Sequence, residues 1–363
     1  MKKYIFSLLF IAYCMGCTKT TVEKVPINGE GIDMASIVRV SSNFSLFAYA
    51  LKRTGMDTVL ASLAPHTLLL PDNPAFATVG ILNNGDIDRM ALDSLKRWVG
   101  MHILPLAIPS TDIPRTINRI YLSVNGDSLH VTHNSSSIRF NGVLLTTLDQ
   151  LASNGVIHIL QRPLRIPSPS VKYFLTHDSS YSIIAAALQR FGLLDQLGSG
   201  GPYTLLAPYN NAMIGEGITL DSVNRMDPGQ FRPFVFSTGT IPGFRIYYQD
   251  IQDNDFAPPG YMAVIQPDYV LYKWDSGPAI SGPGSFAVYD PKRSFLNPDW
   301  VDPTGNGSVY LGPNPFNWWI PGSGGNTGAG PQMDPSTSDF DCDNGVVHGL
   351  NDILVWPDSA RIH

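Results

Sequence analysis

SNGVIHIL at 153–160 and DNGVVHGL at 343–350 are nearly the same phrase. Each runs polar residue, Asn-Gly, aliphatic pair, His, then further apolar residues. Val156, Ile157 and Ile159 make an almost continuous apolar run, the pattern of a strand covered on both faces. Asn154-Gly155 and Asn344-Gly345, ahead of the two runs, suit a tight turn that permits positive φ. A chain that spells a closing core strand twice is expected to close two sheets.

The repetition extends upstream. NFSLFAYALKRTGM at 43–56 matches SYSIIAAALQRFGL at 180–193, 137 residues later. Phe44, Phe47 and Leu51 align with Tyr181, Ile184 and Leu188 at helical spacing. Gly55 and Gly192 stand where a helix C-terminus wants a left-handed residue. Ser41 or Ser42, and Ser179 or Ser180, are expected to cap the two helices. TLLLPDNPAF at 67–76 matches TLLAPYNNAM at 204–213 at the same offset. Each apolar run reads as a buried strand stopped by Pro71 or Pro208. Asn154 and Asn344, however, are 190 apart, so about 53 residues were added to the second copy after about Pro242.

An amphipathic helix, then T-L-x-x-P-x-N-x-A-F, a helix leading to His and Pro, an Asn-Gly hairpin and a closing NGxxH strand together resemble the fasciclin I-like domain. The first copy carries Pro71, Asn73, His102 in LKRWVGMHILP, Asn141-Gly142, and Asn154, Gly155 and His158. The second carries Pro208, Asn344, Gly345 and His348, but Gly239 replaces the motif His and Met213 the usual Phe. The resemblance implies an α+β fold with two tandem wedge-shaped domains. Each would be a small β-sandwich of two sheets with helices packed on one side. The expected divisions are 36–166 and 167–358, with a Gly/Pro/Trp-rich insertion at about 250–340 in the second. The family motif residues are then structural rather than catalytic.

The 363 residues are too many for one ordinary core and comfortable for two. Lys2 and Lys3 precede the apolar run YIFSLLFIAYCMG, which has the order of a signal peptide. The run ends in Gly16-Cys17 and resembles the lipobox of bacterial lipoproteins. Residues 1–17 are therefore read as a lipoprotein signal with Cys17 as the lipid site, and 18–35 as a tether. Of the 3 Cys, only Cys342 would remain free, so no internal disulfide is expected. Loss of Lys2 and Lys3 takes the formal charge from −6 to −8, which argues against nucleic-acid partners. The expected location is the bacterial cell envelope, lipid-anchored at the outer membrane on its periplasmic or surface face.

Catalytic signatures are absent from the body of the chain: there is no G-x-S-x-G, phosphate loop or H-E-x-x-H, and the C-x-x-C at Cys14–Cys17 falls in the stretch read as the signal. No cofactor and no metal are expected. His130 and His133 are three apart in a strand pattern and so would face opposite sides. His158 and His348 sit in apolar strands and read as satisfied core residues. Asp339, Asp341 and Asp343 alternate as calcium ligands do, but Gly345 is one place too late for that loop and Leu350 stands where its Glu should be. DFDCDNG reads instead as a solvated approach to the Asn-Gly turn.

The insertion carries Trp274, Trp300, Trp318 and Trp319, four of the 6 Trp. Long loops of this kind are often functional. Trp300, Tyr310, Trp318 and Trp319 are the candidate ligand contacts, since exposed rings can stack on sugars or dock on a partner. The expected function is non-enzymatic adhesion or recognition of a surface protein or glycan. The alternative is a glycan-capture lipoprotein of a polysaccharide uptake system that uses the aromatic insertion.

The lipid expectation has a direct measure. Cys17→Ala should move the protein from the membrane to the soluble fraction. Continued membrane fractionation, with no lipid mass on Cys17 of the parent chain, is the contrary result.

Overall fold

The computed structural model describes residues 31–231, 234–237, 239–243, 245–252, 261–266, 269–274, 285–289, 333, 335–354, 357 and 361–362. The first sheet is built from β1 (His66–Pro71), β2 (Ile103–Leu104), β3 (Thr116–Leu122), β4 (Ser128–His133), β5 (Ile138–Phe140), β6 (Val143–Ala152) and β7 (Gly155–Leu160). Their order is β2-β1-β7-β6-β5-β4-β3. The central pair, β1 with β7, is parallel from His66↔Gly155 to Pro71↔Leu160. The other neighbours are antiparallel.

Two small sheets were the expectation here; one seven-stranded run is found. The reason is β6. It pairs with β7 and with β5 and carries two register shifts between Leu145 and Gln150, which let one strand serve both ends. The run folds over itself. Leu69, Leu104 and Leu160 share a core with Leu129, Val131 and Phe140. On the opposite face, Leu68, Leu70, Ile157 and Ile159 meet Phe47 and Leu51 of helix Ser45–Thr54 and Trp98 of helix Leu92–Met101. The alternation Leu68, Leu69, Leu70 feeds both cores from one strand. Each such side chain, fully buried, contributes roughly 1.5–3 kcal/mol.

The second unit repeats the central pair. Strand β8 (Tyr203–Pro208) has on one flank β9 (Thr240–Pro242). Then come β10 (Tyr261–Gln266), β11 (Tyr269–Trp274) and β12 (Ser285–Tyr289), an antiparallel three-stranded sheet inside the stretch read as loops. Last are β13 (Phe340–Cys342) and β14 (Gly345–Leu350), giving the order β13-β14-β8-β9. β14 and β8 are parallel from Gly345↔Tyr203 to Leu350↔Pro208, the register of β7 with β1. The buried cluster here runs from Val171 to Leu354 and takes no residue from the first unit.

The helix starts differ from expectation. A 3-10 turn, Ser42–Phe44 or Ser179–Tyr181, pushes each helix past its serines, and neither Phe44 nor Tyr181 caps with its side chain. The cap comes from the strand-end motif instead. Asn73 Oδ1 accepts from Leu46 N at 3.2 Å, and its Nδ2 donates to Ser42 O at 2.9 Å and Ser45 Oγ at 3.0 Å. Asn210 does the same at the equivalent places: Ile183 N at 3.0 Å, Ser179 O at 2.7 Å and Ser182 Oγ at 2.9 Å. The helix C-termini follow the sequence reading, with Gly55 at φ 71° and Gly192 at φ 70°.

A further helix, Met34–Val40, begins within the stretch assigned to the tether. Asp33 caps it, accepting from Ser36 N at 2.9 Å, and Met34 is fully buried. A fragment 33–166 should therefore melt cooperatively in urea. The shorter 36–166 should be less stable by about 2–4 kcal/mol, from the lost Met34 burial and an emptied buried acceptor. Equal midpoints for the two fragments would exclude this helix from the folding unit.

Candidate functional site: motif hubs and the junction between the units

Asn154, at the head of β7, has its amide fully used. Oδ1 accepts from Met34 N at 3.0 Å, and Nδ2 donates to Leu60 O at 2.6 Å and Ser62 O at 2.8 Å. Asn344 accepts from Val171 N at 2.9 Å and donates to Leu197 O at 3.1 Å. The glycine after each is required by close approach. A Cβ on Gly155 would lie 1.9 Å from His66 O, and one on Gly345 would lie 2.5 Å from Tyr203 O. Gly155 also has φ +148°. Pro71 and Pro208 are the last residues of their strands.

The motif histidines are held in single tautomers. His158 Nε2 lies 3.0 Å from Ile108 O and its Nδ1 lies 3.2 Å from Asp149 N. A carbonyl only accepts and an amide only donates, so the proton sits on Nε2 and the ring is neutral. His348 repeats this with Ile246 O at 2.8 Å and Asp339 N at 3.3 Å. His102 is reversed: Nδ1–H donates to Trp98 O at 2.8 Å, and Nε2 accepts from Leu164 N at 3.1 Å. Burial lowers all three pKa values, that of His102 to about 4. In the second unit Gly239 takes the place of His102, and its carbonyl accepts from Leu206 N at 2.8 Å as that of His102 does from Leu69 N. Where the first unit packs Trp98 against His102, with Phe76 on Trp98, the second leaves an apolar space of about 20 Å³ beside Met213, Gly239 and Leu354, too small for a ligand.

The two units meet through polar groups. The hairpin turn Asn141-Gly142 packs against the second unit so closely that a Cβ on Gly142 would lie 2.7 Å from Asp339 Oδ2. Arg97 bridges Asp127 at 2.9 Å and Asp343 at 3.0 Å. Arg165 donates to Ser338 O at 3.0 Å and Asp339 O at 3.2 Å, with its guanidinium 4.6 Å from the Phe340 ring. Asn118 Nδ2 donates to Arg245 O. The linker itself is pinned, since Ser168 exchanges backbone hydrogen bonds of 2.9 Å and 2.8 Å with Asp341 and Asp343.

At the centre lies Arg245, 6% exposed. Its guanidinium donates to Asp341 Oδ1 at 3.3 Å, Gly345 O at 2.7 Å, Cys342 O at 2.8 Å and Asp343 O at 3.1 Å. Tyr247 OH donates to the same Asp341 oxygen at 2.7 Å. Burial pushes the Asp341 carboxyl up to about 6 against the pull of Arg245 and Tyr247. A cleft of about 300 Å³ opens beside this group, lined by Arg97, Ser128, His130, Asn141, Arg245 and Asp343 among others.

DFDCDNG is therefore not a solvated approach to the turn. Asp339 and Asp341 are buried, and the three carboxylates diverge toward Tyr248 N, Arg245 with Tyr247, and Arg97. Among the described residues, no group of three or more His, Cys, Asp or Glu could hold a metal. Trp300, Tyr310, Trp318, Trp319 and Cys17 lie outside the described residues, and Trp274 is in β11. Sequence reasoning missed Arg245 and Tyr247. The one available signal was a cation set between aromatic residues in FRIYY at 244–248.

Residues 42–167 match the family model described as the fasciclin domain, and this part of the chain is a fasciclin domain. Periostin from Homo sapiens is 25% identical over 194 residues, covering 53% of this chain and 22% of its own. Transforming growth factor-beta-induced protein ig-h3 from Sus scrofa is 28% identical over 182 residues, covering 49% and 26%. The chain thus spans about a quarter of the length of these two relatives. Protein sll1483 from Synechocystis is 25% identical over 170 residues, covering 45% of this chain and 91% of its own. Among solved structures, a domain pair from the insect cell adhesion molecule Fasciclin I aligns over 87% of this chain and 97% of its own. The identity is 13% and the TM-score 0.33.

The buried titrating groups set a pH dependence with opposed parts. His102, with its folded pKa near 4 against an ordinary 6.5, contributes stability that is lost as pH falls through that window. His158 and His348 act in the same direction. Asp341, raised to about 6 from 3.8, contributes stability present below 3.8 and lost as pH rises toward 6. The protein should melt at a lower temperature at pH 4.5 than at 7.5, and the drop should steepen in Asp341→Asn. A shallower drop in that variant would reverse the assignment.

Proposed function

We propose that the chain is a non-enzymatic recognition protein of the bacterial cell envelope, held to the membrane by a lipid on Cys17. The fasciclin domain at 42–167 carries the reading, since that family is associated with adhesion. The second part, 167–358, is read as another copy of the same domain with an insertion. Support comes from the recurrence of the Asn73, Asn154 and His158 bonds at Asn210, Asn344 and His348. A non-enzymatic role is supported by where the reactive groups are spent. Both ring nitrogens of His102, His158 and His348 serve the backbone. The Cys342 thiol is buried, and burial pushes it up to about 12.

The partner class is a surface protein or a glycan, with Trp300, Tyr310, Trp318 and Trp319 of the insertion as its contacts. Pull-down from envelope extract and a glycan array, both with the chain from residue 18, identify which. Trp318→Ala and Trp319→Ala should shift stability by less than about 0.5 kcal/mol, as exposed positions do. Each should weaken binding by about 2 kcal/mol. Unfolding of both variants would make these rings core, and capture of neither class of partner removes the recognition reading.

A further inference from the structure

The two copies of the frame differ at the end where the parallel pair begins. In the first unit four large apolar side chains stand exposed there: Leu63 at 98%, Leu151 at 65%, Ile32 at 59% and Leu106 at 42%. Backbone and hub bonds gather them around one point. The turn that carries Leu63 gives Asn154 the carbonyls of Leu60 and Ser62. Ile32 O accepts from Ser153 N at 3.3 Å, Leu151 pairs with Val156 beside Gly155, and Leu106 O accepts from Thr67 Oγ1 at 2.7 Å, at the start of β1. Exposed leucines are ordinary when scattered, but four around one sheet end make a patch. No Asp, Glu, Lys or Arg occurs in the flanking stretches 58–71, 102–111 or 150–161, and Asp33 is turned to Ser36. The second unit has the same frame without the patch. By register and equivalent bonds, Gly200 stands for Leu63, Gly243 for Leu106, the buried Asp341 for Leu151 and Ser168 for Ile32.

We propose that this end of the first unit docks on the bilayer that holds the lipid of Cys17, with Leu63 at the tip and Ile32, Leu106 and Leu151 around it entering the boundary between headgroups and acyl chains. The occupant follows from where the chain enters. Cys17 stands 15 residues ahead of Ile32, a stretch that reaches at most about 50 Å when fully extended. The patch therefore lies at the end of the unit to which the tether leads. A link that short holds it beside the membrane at an effective concentration in the millimolar range, so modest apolar contact is enough. Single lipid anchors bind reversibly, and a second contact steadies them. The absence of charge suits neutral lipid rather than an anionic headgroup. The second unit leaves the patch open, because Leu151 is at the far end of β6 from the Asn141-Gly142 turn that packs on that unit. The unit next to the tether carries the leucines, and the unit further along the chain has glycines in their places. The proposal rests on the reading of Cys17 as the lipid site.

The test uses the full lipidated chain in phosphatidylcholine vesicles. A fluorophore is attached to Leu63→Cys and, for comparison, to Ser199→Cys in the equivalent turn of the second unit. Cys17 carries the lipid and Cys342 is fully buried, so neither takes the label. Phosphatidylcholine with a spin label near the headgroup end of its acyl chain should quench the Leu63→Cys probe by about half and the Ser199→Cys probe by less than about a tenth, as expected for a tip about 5–10 Å into the headgroup boundary. Replacing Leu106 and Leu151 by Ser should lift most of that quenching and leave the melting temperature near the parent, as exposed positions do. Leu151→Cys carries the probe should Leu63→Cys fail to fold. Equal quenching at the two turns, in a chain with lipid mass on Cys17, overturns the docking and leaves the anchor standing. No lipid mass on Cys17 overturns both. Quenching of the Leu63→Cys probe by a spin-labelled second copy in detergent would make the patch an interface between copies and also overturns the docking.

Discussion

Asn154 joins three segments at the point where the parallel pair begins: the first turn of helix Met34–Val40, the end of the Leu60 turn and the head of β7. A parallel strand pair needs a long connection, and its ends open onto loops with backbone groups facing the interior. One carboxamide supplies an acceptor and two donors in a fixed plane, which is what those groups lack. Glycine must follow it, because the neighbouring strand's carbonyl occupies the space a Cβ would need. Thus the Asn-Gly phrase couples two demands, hydrogen bonding and close approach, in adjacent residues.

The same logic governs the other hubs. Asn73 and Asn210 cap helices from outside, and His158 and His348 tie a closing strand to a loop carbonyl on one side and an aspartate amide on the other. These side chains meet local orphan groups, so each has to sit where it does. Core volume is less constrained. Phe76, Trp98 and His102 in the first unit face Met213, Val235 and Gly239 in the second, with only a small space left over. Apolar volume can be exchanged among residues, whereas a missing hydrogen bond cannot be made up by its neighbours.

This difference explains what could be read from the sequence. The closing strands, the strand-ending prolines and the glycine helix ends carry local signals, and β7, β14, Gly55 and Gly192 are found at those places. The serine caps were misread because Ser41 and Ser42 satisfy a local rule while Asn73, about 30 residues on, supplies the cap. The continuity of the first sheet was hidden because β6 changes partners through irregularities that leave no pattern in side-chain alternation. The acids of DFDCDNG alternate as exposed residues would, and only the fold brings Arg245 from about 100 residues away onto the buried Asp341. Long-range polar pairing has no period, so no window of sequence reveals it.

The junction follows from that pairing. Interfaces between domains are commonly polar, and relative motion is the default where apolar contact is small. Here a pinned linker and the cross-unit bonds of Arg97 and Arg165 oppose motion by direction rather than by area. Arg245 spends its bonds on the carbonyls of residues 342, 343 and 345, the turn that leads into β14. The same guanidinium therefore shapes the second unit's closing turn and one wall of the cleft against the first. Breaking a buried pair such as Arg245 with Asp341 typically costs about 3–5 kcal/mol, because the remaining charge is stranded. That pair lies within the second unit; what reorienting the units would separate is Arg97 from Asp343 and Arg165 from Ser338 and Asp339. The second unit's wall of the cleft is thus set by the same bonds that finish its fold, and that wall cannot relax without unmaking part of the fold.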